Sequence, residues 1–391
     1  MKQTEDIILL MDEVEEEVLP TPENAPEKNE ENKKNNVLKK VLISAGTFLG
    51  FVLITVFTAC YILLNGPSQT MRDALVLSAK QASATKWLPG LFLSEKVIDQ
   101  IEENSRKVVT DVISLEDLQA QQKEDEKGEV DEWADAIDGM RLVNISKPTF
   151  KAYLLMVRDP SRLFVGTASD FQSGKPGMRI FEMAEKYQAV AGINAGEYPD
   201  TGGVGDGSVP IGITFSQGKM VYSGHTNRTF MGITKDNRLV VSEGMTADKA
   251  QNLGIRDGVC FQTGNCLITN DGVNMTLHYS DGNTGRAQRT AIGQRADGTI
   301  LLLVTDGRTA SSIGATHNDL IEIMLEYGAT CAGKLDGGSS AMMYYNNWYG
   351  VYNTDPSTLD EYQRMGLVNT YKAFTNPRKM PTYFLVGEAA E

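Results

Sequence analysis

Four short polar segments, each beside an apolar run, hold the side chains in this sequence that could do chemistry. Asp306-Gly307-Arg308 follows ILLLVT at 300–305, and Asp336-Gly337-Gly338-Ser339-Ser340 follows Leu335. Arg289 opens RTAIG at 289–293, just after Arg286-Ala287-Gln288. Asn194 closes VAGIN at 190–194, ahead of Ala195-Gly196-Glu197 and a glycine-rich stretch that runs on to Pro210-Ile211-Gly212. Singly, each has an ordinary explanation, because Asp-Gly is a common turn pair and an arginine at a strand edge is usually a solvated charge. Together they set two carboxylates and two guanidinium groups at the ends of apolar strands, where a charge is poorly solvated unless it is paired or faces a cleft. Neighbouring glycines let a ligand approach the backbone closely, and free amides there bind anions. The chemistry indicated is recognition of an anion with carboxylates at hand.

The order of these motifs, NAG, a glycine-rich stretch ending in PIG, RTAIG, DGR, a helix, then LDGGSS, resembles the phosphodiester glycosidase family over roughly residues 140–388. The resemblance implies hydrolysis of a sugar-1-phosphodiester, N-acetylglucosamine-1-phosphoryl among them, at the anomeric carbon. It also implies that Asp306 and Asp336 are the acid/base or nucleophilic carboxylates of an oxocarbenium-like reaction. Phosphate is already a good leaving group, so charge neutralisation should matter more than protonation. Arg289 and Arg308 are then expected to make bidentate contacts to its oxygens, with Ser339 and the amides of Gly337 and Gly338 completing the cradle. Asn194 would orient a sugar hydroxyl or N-acetyl group, and Gly196, Glu197, Thr290 and Gly307 complete the expected substrate-binding set. Glu197 stands where many relatives carry Gly or Phe, and residues 286–288 replace a more usual Asn-Pro. Bacterial members with a similar anchor and stalk imply an exopolysaccharide or other cell-envelope substrate. A binding or assembly module holding a phosphorylated surface polysaccharide is the alternative, with the aspartates serving only to fix the arginines.

Other chemistries fit less well. His225, His278 and His317 sit in no motif, so surface or capping roles are expected of them, and no G-x-S-x-G accompanies Ser339. A two-metal phosphodiesterase would need a histidine and carboxylate cluster that these spacings do not supply. No metal or other cofactor is expected; the 200–206 loop offers oxygens to calcium but lacks EF-hand spacing. The four cysteines lack CxxC pairs, and a disulfide between Cys260 and Cys266 is permitted but not required.

The elements that must position these groups follow from pattern. Short apolar runs with Gly, Asn and Asp between them predict strands at 150–157, 163–167, 190–194, 211–215, 220–223, 230–234, 259–262, 290–294, 300–305, 341–345 and 383–386. Helices are predicted at 178–187 and 318–327, the second capped by Thr316 or His317 and stopped by Gly328. The fold class is α+β, a large mixed β-sheet domain with a few helices, over residues 139–391.

Ahead of it, residues 41–64 carry no charge, and 24 residues of helix span about 36 Å, enough for a hydrocarbon core. Lys33, Lys34, Lys39 and Lys40 on one flank predict a cytoplasmic N-terminus, a single-pass signal-anchor in the cell membrane, lipid as partner, and an extracellular C-terminal domain. Residues 1–40, with 11 acids and 6 lysines, read as a disordered cytoplasmic tail. Residues 65–138 read as a helical stalk ending in an acidic linker. A net charge of −14 disfavours nucleic acid or an anionic lipid surface as partner, so any anion must be bound locally.

Overall fold

The computed structural model describes residues 27–80, 85–105, 107–116, 131–171, 174–200, 204–225, 227–280, 285–309, 311–371 and 376–389. Two units separate, one ending at Ile62 and one running from Leu63 to Glu391.

The first unit is helical where described. Helix Glu27–Asn65 contains a stretch, Asn36–Asn65, long and apolar enough to cross a membrane. Its apolar side chains stand exposed, Phe48 at 70% and Phe51 at 69%. Because the helix starts at Glu27, residues 27–40 of the expected disordered tail are helical instead. The apolar span supplies the nucleus, and the Glu, Lys and Asn residues before it extend a helix already started. The rest of the expected tail lies outside the described residues, as do 117–130 of the acidic linker and Gly202 and Gly203 of the glycine-rich stretch.

The second unit is α+β, built from three sheets in which every strand pairing among the described residues is antiparallel. The largest runs, in spatial order, Val108–Ser114, Asn274–Ser280, Cys266–Asn270, Ala329–Leu335, Arg289–Arg295, Ile300–Thr305, Phe150–Val157 and Met140–Lys147. A five-stranded sheet is centred on Ile255–Phe261, and a four-stranded one pairs Ala191–Asn194 with Thr382–Val386. Both pack on one face of the large sheet, where Ile292, Leu302, Val304 and Leu335 meet Met231, Val259, Ile193 and Phe384. The other face is covered by helix His317–Glu326, whose Leu320, Ile321 and Met324 sit on Ala291, Leu301, Leu303 and Ala332. Burial on both faces explains why ILLLV is unbroken by polar residues: even and odd positions each have a core to enter.

The segment expected as a stalk joins this unit. Val108–Ser114 forms an edge strand paired with Asn274–Ser280, and helices Gln69–Lys80 and Glu95–Ser105 share a small core of Val76, Leu77, Ile98 and Ile101.

Candidate active site

Three neighbouring strands of the large sheet bring the motifs together. Arg289 pairs with Thr305, and Thr290 with Leu335, so the start of one strand meets the ends of the two beside it. Arg289, Asp306, Arg308 and Asp336 therefore all leave the sheet at one end. The strand Ala191–Asn194 reaches the same place from the smaller sheet. Asn194 donates from its side-chain amide to the Asp336 carbonyl at 2.6 Å, and its oxygen accepts from the Thr290 hydroxyl at 2.8 Å and the Met342 amide at 3.0 Å. Fully buried, these two residues join the sheets beneath the Asp336 turn.

A cleft of about 410 Å³ opens at that end, lined by Arg289, Arg308, Asp336, Gly337, Gly338, Lys334, Ala287, Phe261 and Gln262. Leu77, Lys80, Glu102 and Ser105, from the segment expected as a stalk, form the remaining wall, where Lys80 and Glu102 pair at 3.2 Å.

The charges in the cleft are under electrostatic load. Arg289 is buried, donating from Nε to the Ala315 carbonyl at 3.1 Å and from Nη2 to the Gly285 carbonyl at 2.9 Å. Burial, and then the nearby Arg308, pull its pKa down to about 10, which still leaves it charged at neutral pH. Burial lowers that of Arg308 too. Arg308 holds a left-handed backbone, φ 57°, uncommon for a side chain of its size; such strain persists only where the surroundings enforce it. Its amide donates to the Ile313 carbonyl at 3.0 Å, which closes the loop that enforces it. Enclosure pushes the Asp336 carboxyl up to about 7, against the opposing pull of the Ser340 hydroxyl, the Gly337 amide and Arg378. A carboxyl poised near neutrality beside two cations that lack bulk solvent is suited to acid/base or nucleophilic work on an anionic substrate.

Not every expected residue faces this space. Asp306 is only 3% exposed and is not among the residues lining the cleft. The Tyr153 hydroxyl donates to Oδ2 at 3.1 Å and the Thr370 amide to Oδ1 at 3.0 Å, so both oxygens are engaged. Glu197 pairs with Arg228 at 2.7 Å and is not among the residues lining the cleft. Nor do all the glycine amides form a cradle, since Gly338 donates to the Gln288 carbonyl at 2.9 Å and Gly196 to the Thr382 hydroxyl at 3.2 Å. Gly307 and Gly337 serve close packing: an added Cβ would lie 2.7 Å from the Gln288 amide nitrogen and carbonyl oxygen respectively. Ser339 lines a smaller adjoining space with Arg308, Tyr371 and Gln288.

Asp200, in the loop considered for calcium, gives Oδ1 to Arg378 at 2.7 Å and to the Gly205 amide at 2.8 Å. Cys260 and Cys266 are free thiols in different core clusters.

Lys334 was not among the expected site residues. It lies two residues before Asp336 and beside Ala291, so that it shares a sheet face with Arg289. Burial and the Arg289 charge hold its ammonium well below the usual lysine range. Its only sequence signal is a lysine inside a strand whose other side chains are all buried, and that strand, rich in Ala, Thr and Gly, is itself not predicted.

A model of the phosphodiester glycosidase family matches residues 187–386. The chain belongs to that family. It is 26% identical over 196 residues to the SPbeta prophage-derived uncharacterized protein YomE of Bacillus subtilis, covering 48% of this chain and 29% of that protein. The match thus spans under a third of that relative's length. Among solved structures, the zebrafish N-acetylglucosamine-1-phosphodiester alpha-N-acetylglucosaminidase catalytic domain, auto-inhibited by its pro-peptide, is similar at TM-score 0.48 and 18% identity, over 64% of this chain and 82% of that one. A putative exported protein from Burkholderia pseudomallei gives TM-score 0.41 and 15% identity, over 61% and 74% of the two chains.

Proposed function

We propose that this protein hydrolyses a sugar-1-phosphodiester, of the N-acetylglucosamine-1-phosphoryl kind, in a cell-surface glycan or exopolysaccharide, and does so from a membrane anchor at 36–65 with the sheet unit outside. The observation that carries the reading is the convergence of Arg289, Arg308 and Asp336 on one cleft in a chain of this family.

In this reading the two guanidinium groups take the phosphate and neutralise the charge that grows on it as the C–O bond lengthens. Asp336 faces the anomeric carbon, where as carboxylate it stabilises or attacks the oxocarbenium-like centre, or takes a proton from water. Asp306 holds the Arg308 turn through Tyr153 and Thr370, and Asn194 and Thr290 fix the height of the Asp336 turn.

The binding-module reading has one observation in its favour, that only one of the two expected carboxylates lines the cleft. Incubating the full chain with N-acetylglucosamine-1-phospho-methyl-mannose in oxygen-18 water separates the readings. Label in the released sugar is the expected result; label in phosphate means P–O cleavage, and no turnover across a panel of sugar-1-phosphodiesters leaves the binding module.

A further inference from the structure

The helical segment that opens the second unit turns large apolar side chains outward. Trp87 stands 60% exposed just before the short turn Leu88–Leu91, and Leu91, which closes that turn, stands 57% exposed. Met71 and Leu75, a turn apart on one face of helix Gln69–Lys80, are exposed as well. From Thr85 to Leu93 the sequence carries a single charge, Lys86, in a chain whose net charge is −14.

This surface begins where the apolar span ends. Leu64, in the last turn of helix Glu27–Asn65 and already within the second unit, is buried in the same small core as Val76, Leu77, Ile98 and Ile101. Phe92 and Leu93, which follow the exposed turn directly, pack against that core. The two helices are in turn tied to the sheet end that holds the cleft. The Arg286 amide donates to the Ser78 hydroxyl at 3.1 Å, and the Ser280 hydroxyl donates to the Ser105 carbonyl at 2.7 Å. Gly285 lies so near Leu77 that an added Cβ would come within 2.8 Å of the Leu77 carbonyl carbon.

We propose that residues 85–93 form a second membrane contact, with Trp87 and Leu91 entering the interfacial layer of the leaflet in which the span ends. The inference rests on the anchor in the reading above and goes beyond it by fixing how the chain meets the bilayer. Indole favours the boundary between acyl chains and headgroups, where the ring lies among chains and its N–H meets polar groups. Lys86 beside it can reach lipid phosphates, and no acidic residue of the segment opposes them. A second copy of this chain is the poorer occupant, because two bodies of charge −14 repel. Held at both the span and the turn, the hairpin wall of the cleft stays at the headgroup layer, which suits a glycan carried on that same membrane.

Tryptophan quenching by lipid tests the contact and needs no turnover, so failure of the hydrolase reading leaves it standing. The full chain is reconstituted into phosphatidylcholine vesicles with and without bromine in the upper acyl chain, as wild type, Trp87→Phe and Leu91→Asp, and flotation with the vesicles is measured first. Trp133, stacked under the Arg158 guanidinium, and Trp348, which donates to the Leu367 carbonyl at 3.0 Å, serve as references away from lipid. Bromine should remove about a third of the wild-type emission, the share of one tryptophan in three, and should leave both variants unquenched. Flotation without quenching of the wild type, or quenching that either variant retains, overturns the proposal. Wild-type emission that is blue-shifted in vesicles yet indifferent to bromine overturns it in favour of a second copy covering the ring. A chain that does not float refutes the anchor and the contact together. Should Trp87→Phe fail to fold, Leu91→Asp, which sends a charge in with the ring, decides in its place.

Discussion

Asp306 and Asp336 occupy matching places in the sequence, each the first residue after a buried strand and each followed by glycine, yet they meet opposite surroundings. Asp306 lies under Tyr153 and the Thr370 amide, which take both its oxygens. Asp336 lies at the cleft, where enclosure outweighs the pull of the Ser340 hydroxyl and the Gly337 amide and leaves its carboxyl near neutrality. What divides them is the element overhead. The strand Ile300–Thr305 runs beside Phe150–Val157, which brings a tyrosine to its end, while Ala329–Leu335 runs beside the shorter Cys266–Asn270, whose end leaves the cleft open. One aspartate lies outside the cleft lining and the other within it.

The largest effect expected from this contrast is on rate. Asp336→Asn should cut turnover about a thousandfold with the fold kept, whereas Asp306→Ala should act mainly on stability, costing about 1–3 kcal/mol for stranded donors. Turnover and chemical denaturation of both variants check this, and an Asp306 variant that is inactive but fully stable would reverse the assignment.

Next comes Arg308→Lys. It keeps the charge but loses the planar fork, and kcat/KM should fall about a hundredfold; a full-rate variant would remove the bidentate role.

The contrast also has a pH signature. The folded value for Asp336 lies above that of a free aspartate, so its contribution to stability is whole below the ordinary aspartate range and lost as pH rises through about 7. Melting temperatures should show Asp336→Asn gaining on wild type between pH 5 and pH 8, and a flat difference would mean that the carboxyl is ordinary. Smallest is Glu197→Gln, which should change turnover by no more than about fivefold, because neither it nor its partner Arg228 is among the residues lining the cleft. A larger loss would bring Glu197 back into the site.

Much of the fold is legible in the sequence where a strand is buried on both faces. Phe150–Val157, Leu163–Thr167 and Ile300–Thr305 match the predicted ranges end to end, because an unbroken apolar run with polar stops leaves little choice. The strands missed are of other kinds. Val108–Ser114 is mostly exposed along the sheet edge, and Asn274–Ser280 mixes polar and apolar residues. Ala329–Leu335 is made of small residues whose burial comes from neighbours on both sides. Losing that strand also hid Lys334, which reads as a solvated lysine until its neighbours are known.

The site was legible as a set of turns and not as a division of labour. DGR and DGGSS look alike in type and spacing, and only the partners from residues 153, 194 and 370 distinguish a strut from a reactive group.

A structure of the full chain with a non-hydrolysable C-glycosyl phosphonate diester tests the central claim most directly. The account predicts the phosphonate between Arg289 and Arg308 with the anomeric carbon turned to Asp336. A phosphonate bound elsewhere, or an anomeric carbon facing away from Asp336, would contradict it.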